Sequence, residues 1–230
     1  MNTQNSPVDD SIEVSSQPWA DRAAKQSQSV RRSRARSIAQ AQTIVAAAER
    51  LLQVRGSAFT TQELSKEAGI ALQTFYRHFA GKDQLLLAVF ENVIARRAAE
   101  AEAVARELPD PVARLRVYIG DTLMSLRDDD GPGPRAVTAE HWRLHQLFPD
   151  EMAKANQPFA DLIERELREA ATTGVLRPND PATDAWLATK LVMSVFHHYA
   201  FAPAPRGIDE TAERTWSFCL AAFGGRFTEM

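Results

Sequence analysis

Residues 60–79 read Thr-Thr-Gln-Glu-Leu-Ser-Lys-Glu-Ala-Gly-Ile-Ala-Leu-Gln-Thr-Phe-Tyr-Arg-His-Phe, and this stretch decides the fold. It predicts two short helices joined by a tight turn. Thr60 is placed to N-cap the first helix, and Glu63 three residues on completes a capping box. Leu64 and Ala68 fall on its inner face. Gly69 stands where the helix must stop and the backbone turn sharply. Ile70, Phe75 and Phe79 give the second helix a buried side. Its other side carries Leu72, Gln73, Thr74, Tyr76, Arg77 and His78, groups able to reach base edges or phosphate oxygens. A polar, basic pair of this shape fits the major groove of DNA. A surface hairpin of a larger helical bundle would share the bare pattern, and the neighbouring sequence separates the two.

Upstream, Ile38, Ala41, Ile44, Val45, Ala48, Leu51 and Leu52 follow helical spacing from Ser37 to Arg55, and Gly56 ends the run. Downstream, a long helix is expected from Asp83 to Glu107, closed by Pro109 and Pro111. Further helices are expected over 111–127, 135–147, 150–173, 181–201 and 209–224. Breaks fall at residues 128–134, Pro149, 174–181 and 203–207. No strand alternation appears. The expected fold is all-α: a disordered arm over 1–36, a three-helix helix-turn-helix DNA-binding domain over 37–82, and a larger C-terminal helical domain over 83–230. The arm ends in Arg31, Arg32, Arg34 and Arg36. Such a cluster either enters a minor groove or only adds non-specific affinity.

Charge is distributed unevenly. Residues 20–82 hold 11 Lys/Arg against 4 Asp/Glu, whereas residues 83–230 hold 16 against 23. A basic module fused to an acidic one is expected when only one part meets DNA. No run approaches the roughly 20 apolar residues that span a bilayer, so no membrane partner is expected. The polar, acidic start does not resemble a secretory signal. Cys219 is the only cysteine, which excludes an intramolecular disulfide and a cysteine-built metal site. These features lead to the expectation of a cytoplasmic protein.

Between about Ile44 and Val89 the chain resembles the TetR family of bacterial transcriptional regulators. The matching positions are Gly56, Thr60-Thr61, Leu64, Ala68-Gly69, Thr74-Phe75-Tyr76, His78-Phe79, and Lys82 followed by Leu85-Leu86. Further on, Gly174-Val-Leu-Arg-Pro-Asn-Asp-Pro resembles the family's link into its penultimate helix. The resemblance implies a homodimer reading a palindromic double-stranded operator, with dimerisation through the last two helices. It also implies a C-terminal domain that binds a small-molecule effector and releases the DNA. By position, Thr61 and Gln62 match contacts to phosphate or bases. Gln73, Thr74 and Tyr76 match groove-facing positions, and His78 and Lys82 match phosphate contacts. Three departures stand out. Ala71 replaces the Ser common at the cap of the recognition helix. Leu72 and Gln73 stand where a basic residue and Gly or Pro are frequent. Arg77 replaces an aromatic and adds a charge for phosphate or guanine.

Ligand-cavity candidates are Leu123, Met124, Trp142, His145, Phe148, Phe159, Met193, Phe196 and His197, which combine apolar bulk with sparse imidazoles. Pro158 is placed to kink its helix and open space beside Phe159. The helix over 181–201 is apolar nearly all round, as is the last one, so each needs cover on two sides. Leu187, Leu191, Val192, Val195, Tyr199, Trp216, Leu220 and Phe223 are the expected dimer interface. His141 and His145 have zinc-compatible spacing, but the Glu of the zinc-protease motif is absent and no third ligand is near. His197 and His198 point about 100° apart on a helix. No metal, cofactor or catalytic residue is therefore expected. The rival reading, a helical-bundle enzyme or small-molecule-binding protein using C-terminal His and Glu residues, leaves the basic head unexplained.

Overall fold

The computed structural model describes residues 18–126, 132–202 and 207–225. Among these residues there are nine α-helices and no strand: α1 (Pro18–Arg55), α2 (Thr61–Ala68), α3 (Leu72–His78), α4 (Lys82–Ala105), α5 (Pro111–Met124), α6 (Pro132–Leu147), α7 (Pro149–Thr172), α8 (Pro181–Phe201) and α9 (Ile208–Ala222). A 3-10 turn, Gly56–Ala58, joins α1 to α2. The all-α expectation holds, and the predicted boundaries from α4 onward fall within a few residues of those observed. Residues 1–17, 127–131 and 203–206 cover part of the expected arm and of two expected breaks, and they lie outside the described residues.

The first helix begins at Pro18, not at Ser37. Residues 27–40 are all exposed, and Ile38, expected on the inner face, is half-exposed. Their Gln, Ala and Arg content favours helix on propensity alone. An apolar period, the signal sought in the sequence, is not needed for that. Arg31, Arg32, Arg34 and Arg36 are thus exposed helical residues. Compactness divides the chain into residues 1–42 and 43–230.

Within residues 43–230 two apolar clusters form. One gathers Ile44, Ala48, Leu52, Phe59, Leu64, Phe75, Leu85, Leu86 and Val89 with Leu144 and Met152, so α6 and α7 contribute to the core beneath the helix-turn-helix. The other joins α4, α5, α7, α8 and α9 around Leu115, Tyr118, Ile119, Leu167 and Trp216. Gly56 shows how tightly α6 meets the first: its φ is +63°, and a Cβ there would lie 2.7 Å from that of Ala136. Only glycine meets both conditions. Across α4, α5 and α7 an ionic network centred on one buried carboxylate ties the second cluster. Glu166, almost fully buried, accepts from Arg114 Nε at 2.7 Å and from Arg165 at 3.1 Å, and Arg165 also reaches Glu102 at 2.8 Å.

Candidate nucleic-acid interface and ligand cavity

The capping box forms as its residue types require. The Glu63 backbone N–H donates to Thr60 Oγ1 at 3.2 Å, and the Thr60 N–H donates to Glu63 Oε2 at 2.8 Å. The Thr60 backbone bond, the Thr60 hydroxyl and the nearby Arg55 guanidinium hold the Glu63 carboxyl below the usual carboxylate range. Gly69 takes the left-handed conformation, φ 65°; its N–H donates to Lys66 O at 3.3 Å, and the Ile70 N–H donates to Ser65 O at 3.0 Å. Two of the last carbonyls of α2 are thereby satisfied. Leu64 and Phe75 are fully buried, while Ala68, Ile70 and Phe79 are half-buried.

The turn delivers α3 with Leu72, Gln73, Tyr76 and Arg77 exposed and Thr74 and His78 half-buried. Gln62 is exposed at the start of α2, and Thr61 half-buried beside it. Ala71, the residue preceding α3, has extended backbone (φ −72°, ψ 146°), and α3 has no side-chain cap. Lys82, expected at a phosphate contact, has its ammonium engaged within the chain in this structure. Its ammonium donates to the carbonyls of Ser57 and Phe59 and lies 4.4 Å above the Phe59 ring. Burial pulls its pKa down. In this arrangement the side chain ties the first turn of α4 to the turn before α2. Next to it, Asp83 is ion-paired with Arg143 of α6.

A cavity of about 440 Å³ lies between the two apolar clusters. Six helices wall it: α1, α4, α5, α6, α7 and α8. Of the nine cavity candidates, Phe159, Met193 and Phe196 line it. Leu123 is buried in the second cluster and Met124 packs against it, while Phe148 packs against the first. Trp142 is half-exposed, its ring edge-on to His197 at 5.4 Å. His145 stacks on His141 with ring centroids 6.2 Å apart. His197 is not on the wall, but its Nε2 lies 2.9 Å from Nδ1 of His141, which is. Pro158 lies inside α7, directly before Phe159. Wall residues the sequence reading missed include Phe90, Ile94, Tyr118, Thr138, Asn156 and Ile163. None carries a local motif, and only helix packing brings them together.

The expected interface residues divide in two. Val192, Trp216, Leu220 and Phe223 are buried within the chain itself. Leu187 is 52% exposed, and Leu191, Val195 and Tyr199 follow it at helical spacing along a surface groove shared with Phe218 of α9, 67% exposed. Among the described residues no His/Cys/Asp/Glu group has metal-holding geometry, and no helix is long and apolar enough to cross a membrane.

Comparison with known proteins agrees with this architecture. The family model described as "Bacterial regulatory proteins, tetR family" matches residues 44–89. Two uncharacterized HTH-type transcriptional regulators from Mycobacterium tuberculosis strains are each 31% identical over 144 residues. That alignment covers 62% of this chain and 66% of theirs, just under two thirds of their length. Among solved structures, the transcriptional repressor FadR of Thermus thermophilus, in complex with lauroyl-CoA, aligns with a TM-score of 0.64 at 20% identity. It covers 83% of this chain and 98% of that one. AibR, solved with isovaleryl coenzyme A and operator DNA, aligns with a TM-score of 0.52 at 22% identity, covering 81% of this chain and 100% of that one. At these identities the likeness is one of fold.

Proposed function

We propose that this chain, which belongs to the tetR family of bacterial regulatory proteins, is a cytoplasmic repressor that binds a palindromic operator as a dimer. A small, largely hydrophobic effector releases it. The observation that carries this reading is the sharing of helices between head and cavity. Leu52 of α1 and Val89 and Phe90 of α4 stand on the cavity wall and also belong to the core that supports Leu64 and Phe75. A ligand in the cavity therefore presses on the scaffold that sets the position of α3. Useful switching needs about 1–3 kcal/mol of coupling between the two sites, and the shared helices offer a route for it.

On the DNA side, phosphate contacts supply most of the affinity, and the exposed groups of α3 supply the choice of sequence. Gln62, Leu72, Gln73, Tyr76 and Arg77, with Thr61, Thr74 and His78 beside them, form the contact surface. Gln73→Ala is expected to change preference at one or two base pairs, with a loss of about 1–3 kcal/mol for the preferred base if its contact is bidentate. The dimer forms through the groove of Leu191, Val195, Tyr199 and Phe218, with Leu187 at its edge.

Selection of genomic fragments on the purified protein tests the reading: an enriched palindrome is expected, and no enrichment would sink it. Sedimentation of a Leu187→Glu, Phe218→Glu variant should show monomers. A dimer that survives both charges places the interface elsewhere.

A further inference from the structure

The cavity wall is mainly apolar, yet two of its residues bring buried polar atoms without a hydrogen-bond partner among the described residues. Thr138 and His141 stand three residues apart on α6, on one face of the helix. They are 1% and 6% exposed, and both line the cavity. The Thr138 hydroxyl and Nε2 of His141 have no hydrogen-bond partner among the described residues. Native interiors seldom leave such groups dry and unpaired, so each calls for an explanation.

His141 is held from its far side. Its Nδ1 is hydrogen-bonded to Nε2 of His197 at 2.9 Å, which orients the ring and leaves its own Nε2 unengaged. Phe90 packs edge-on against it at 5.2 Å. Burial pushes His141 down to about 3 and His197 to about 4, so the pair is neutral near pH 7. If Nδ1 of His141 donates to His197, its Nε2 is an acceptor; if Nδ1 accepts, Nε2 carries the hydrogen. A hydroxyl group satisfies either state, because it both donates and accepts, and the Thr138 hydroxyl is equally adaptable. Lys190 of α8 acts electrostatically on His141 but is not among the residues that line the cavity. Among the described wall residues Arg97 is the only Lys or Arg, seven residues along α4 from Phe90, or about 10 Å of helix.

We propose that Thr138 and His141 form a polar clamp for the hydroxyl group of an uncharged, otherwise apolar ligand, with the His197 ring positioning His141. The proposal rests on the reading of this cavity as the effector site and narrows its chemistry.

The test is calorimetric titration of the full chain with p-butylphenol, butylbenzene, p-butylbenzoate and lauroyl-CoA. The phenol is expected to bind about ten-fold tighter than butylbenzene, the gain of one or two hydrogen bonds in a dry site. Thr138→Val should erase most of that difference and leave butylbenzene binding unchanged. The ligand-free melting temperature of Thr138→Val should not fall, since the hydroxyl has no partner to lose. His141→Gln provides a second variant that retains a donor and an acceptor, and it should keep part of the preference. Equal binding of phenol and butylbenzene would overturn the clamp, as would tighter binding of the benzoate or lauroyl-CoA that Thr138→Val leaves intact. The cavity reading has a separate control in Met193→Trp, which should block butylbenzene. Butylbenzene binding that this variant leaves unchanged would overturn the cavity reading, and failure of both uncharged probes to bind the wild type would overturn cavity and clamp together.

Discussion

Between Thr60 and Phe79 each structural decision is taken within a few residues, whereas the cavity exists only because six helices meet around it. In the head, Thr60 and Glu63 cap each other three residues apart, and Gly69 closes α2 through bonds to carbonyls three and four residues behind it. Leu64 and Phe75 then sink into a core with no exposed surface. Around the cavity, Phe159, Met193 and Phe196 come from different turns of α7 and α8 and face open space. The first region is filled and locally determined. The second encloses a cavity and depends on long-range packing. On the proposed function this contrast is a division of labour: a surface for reading DNA needs rigid support, and a site for sensing a ligand needs room.

The largest expected effect tests that contrast directly. Phe75→Ala should cost about 3–5 kcal/mol, because a fully buried ring leaves a hole that close-packed neighbours cannot fill. Phe159→Ala should cost only about 1–2 kcal/mol, since its half-buried ring already borders empty space and truncation enlarges a cavity instead of creating one. Urea unfolding of both variants measures the difference. Equal losses would show that the cavity wall is as tightly packed as the head, and the division would fail.

Acid should act on the cavity side first. His141 and His197 have folded-state pKa values below the ordinary 6.5, at about 3 and about 4, so the unfolded chain takes up protons before the folded one as pH falls. Their contribution is fully present above pH 6.5 and is lost progressively down to those folded values. At about 1.4 kcal/mol per pH unit, His141 alone should remove about 2 kcal/mol of stability at pH 5. Replacing both imidazoles (His141→Phe, His197→Phe) should flatten the change between pH 7.5 and pH 5. An unchanged slope would mean that the pair is open to water.

What was legible in the sequence follows the same division. The capping box, the glycine stop and the long helix after Phe79 were readable because their determinants lie within one or two turns. The start of α1 was missed because a helix made by Ala, Gln and Arg propensity carries no apolar stripe. Of the cavity candidates, Phe159, Met193 and Phe196 on α7 and α8 line the wall, whereas Tyr118, Thr138 and Ile163 are identified only by packing. For the last two helices, an all-round apolar pattern said that two faces need cover without saying which faces inward. The structure turns Trp216, Leu220 and Phe223 in and Leu187 and Phe218 out.

Lys82 sharpens the account of the head. As a free phosphate ligand, its loss would weaken DNA binding and flatten the salt dependence by about one counterion per half-site. As a staple on the carbonyls of Ser57 and Phe59, its loss should first destabilise the head. Lys82→Met is expected to cost about 1–2 kcal/mol in urea unfolding, as hydrogen bonds from a charged donor at a half-buried site should. The salt slope of operator binding should be nearly unchanged. A stable variant with a flattened slope would return Lys82 to the phosphate role.

The smallest effect concerns the one place where the head's local logic is incomplete. Ala71 has the extended backbone of a helix N-cap, yet its methyl group accepts nothing, and the first amide groups of α3 lack a side-chain partner. The Thr74 N–H turns to Ala71 O at 2.9 Å instead. Ala71→Ser places a hydroxyl where the N2 or N3 amide can donate to it, at a residue whose surface is exposed and whose backbone need not move. It should raise stability by about 1 kcal/mol. Because α3 is only seven residues long, one cap fixes a large part of it, so operator affinity should rise together with stability if α3 frays in the free protein. Thermal unfolding and operator titration of the same preparation separate the outcomes. A gain in stability without a gain in affinity would show that α3 is already fully formed before it meets DNA. No gain in either would show that the turn after Gly69 holds the α3 N-terminus without a cap, and the head would then depend on tertiary packing as much as the cavity does.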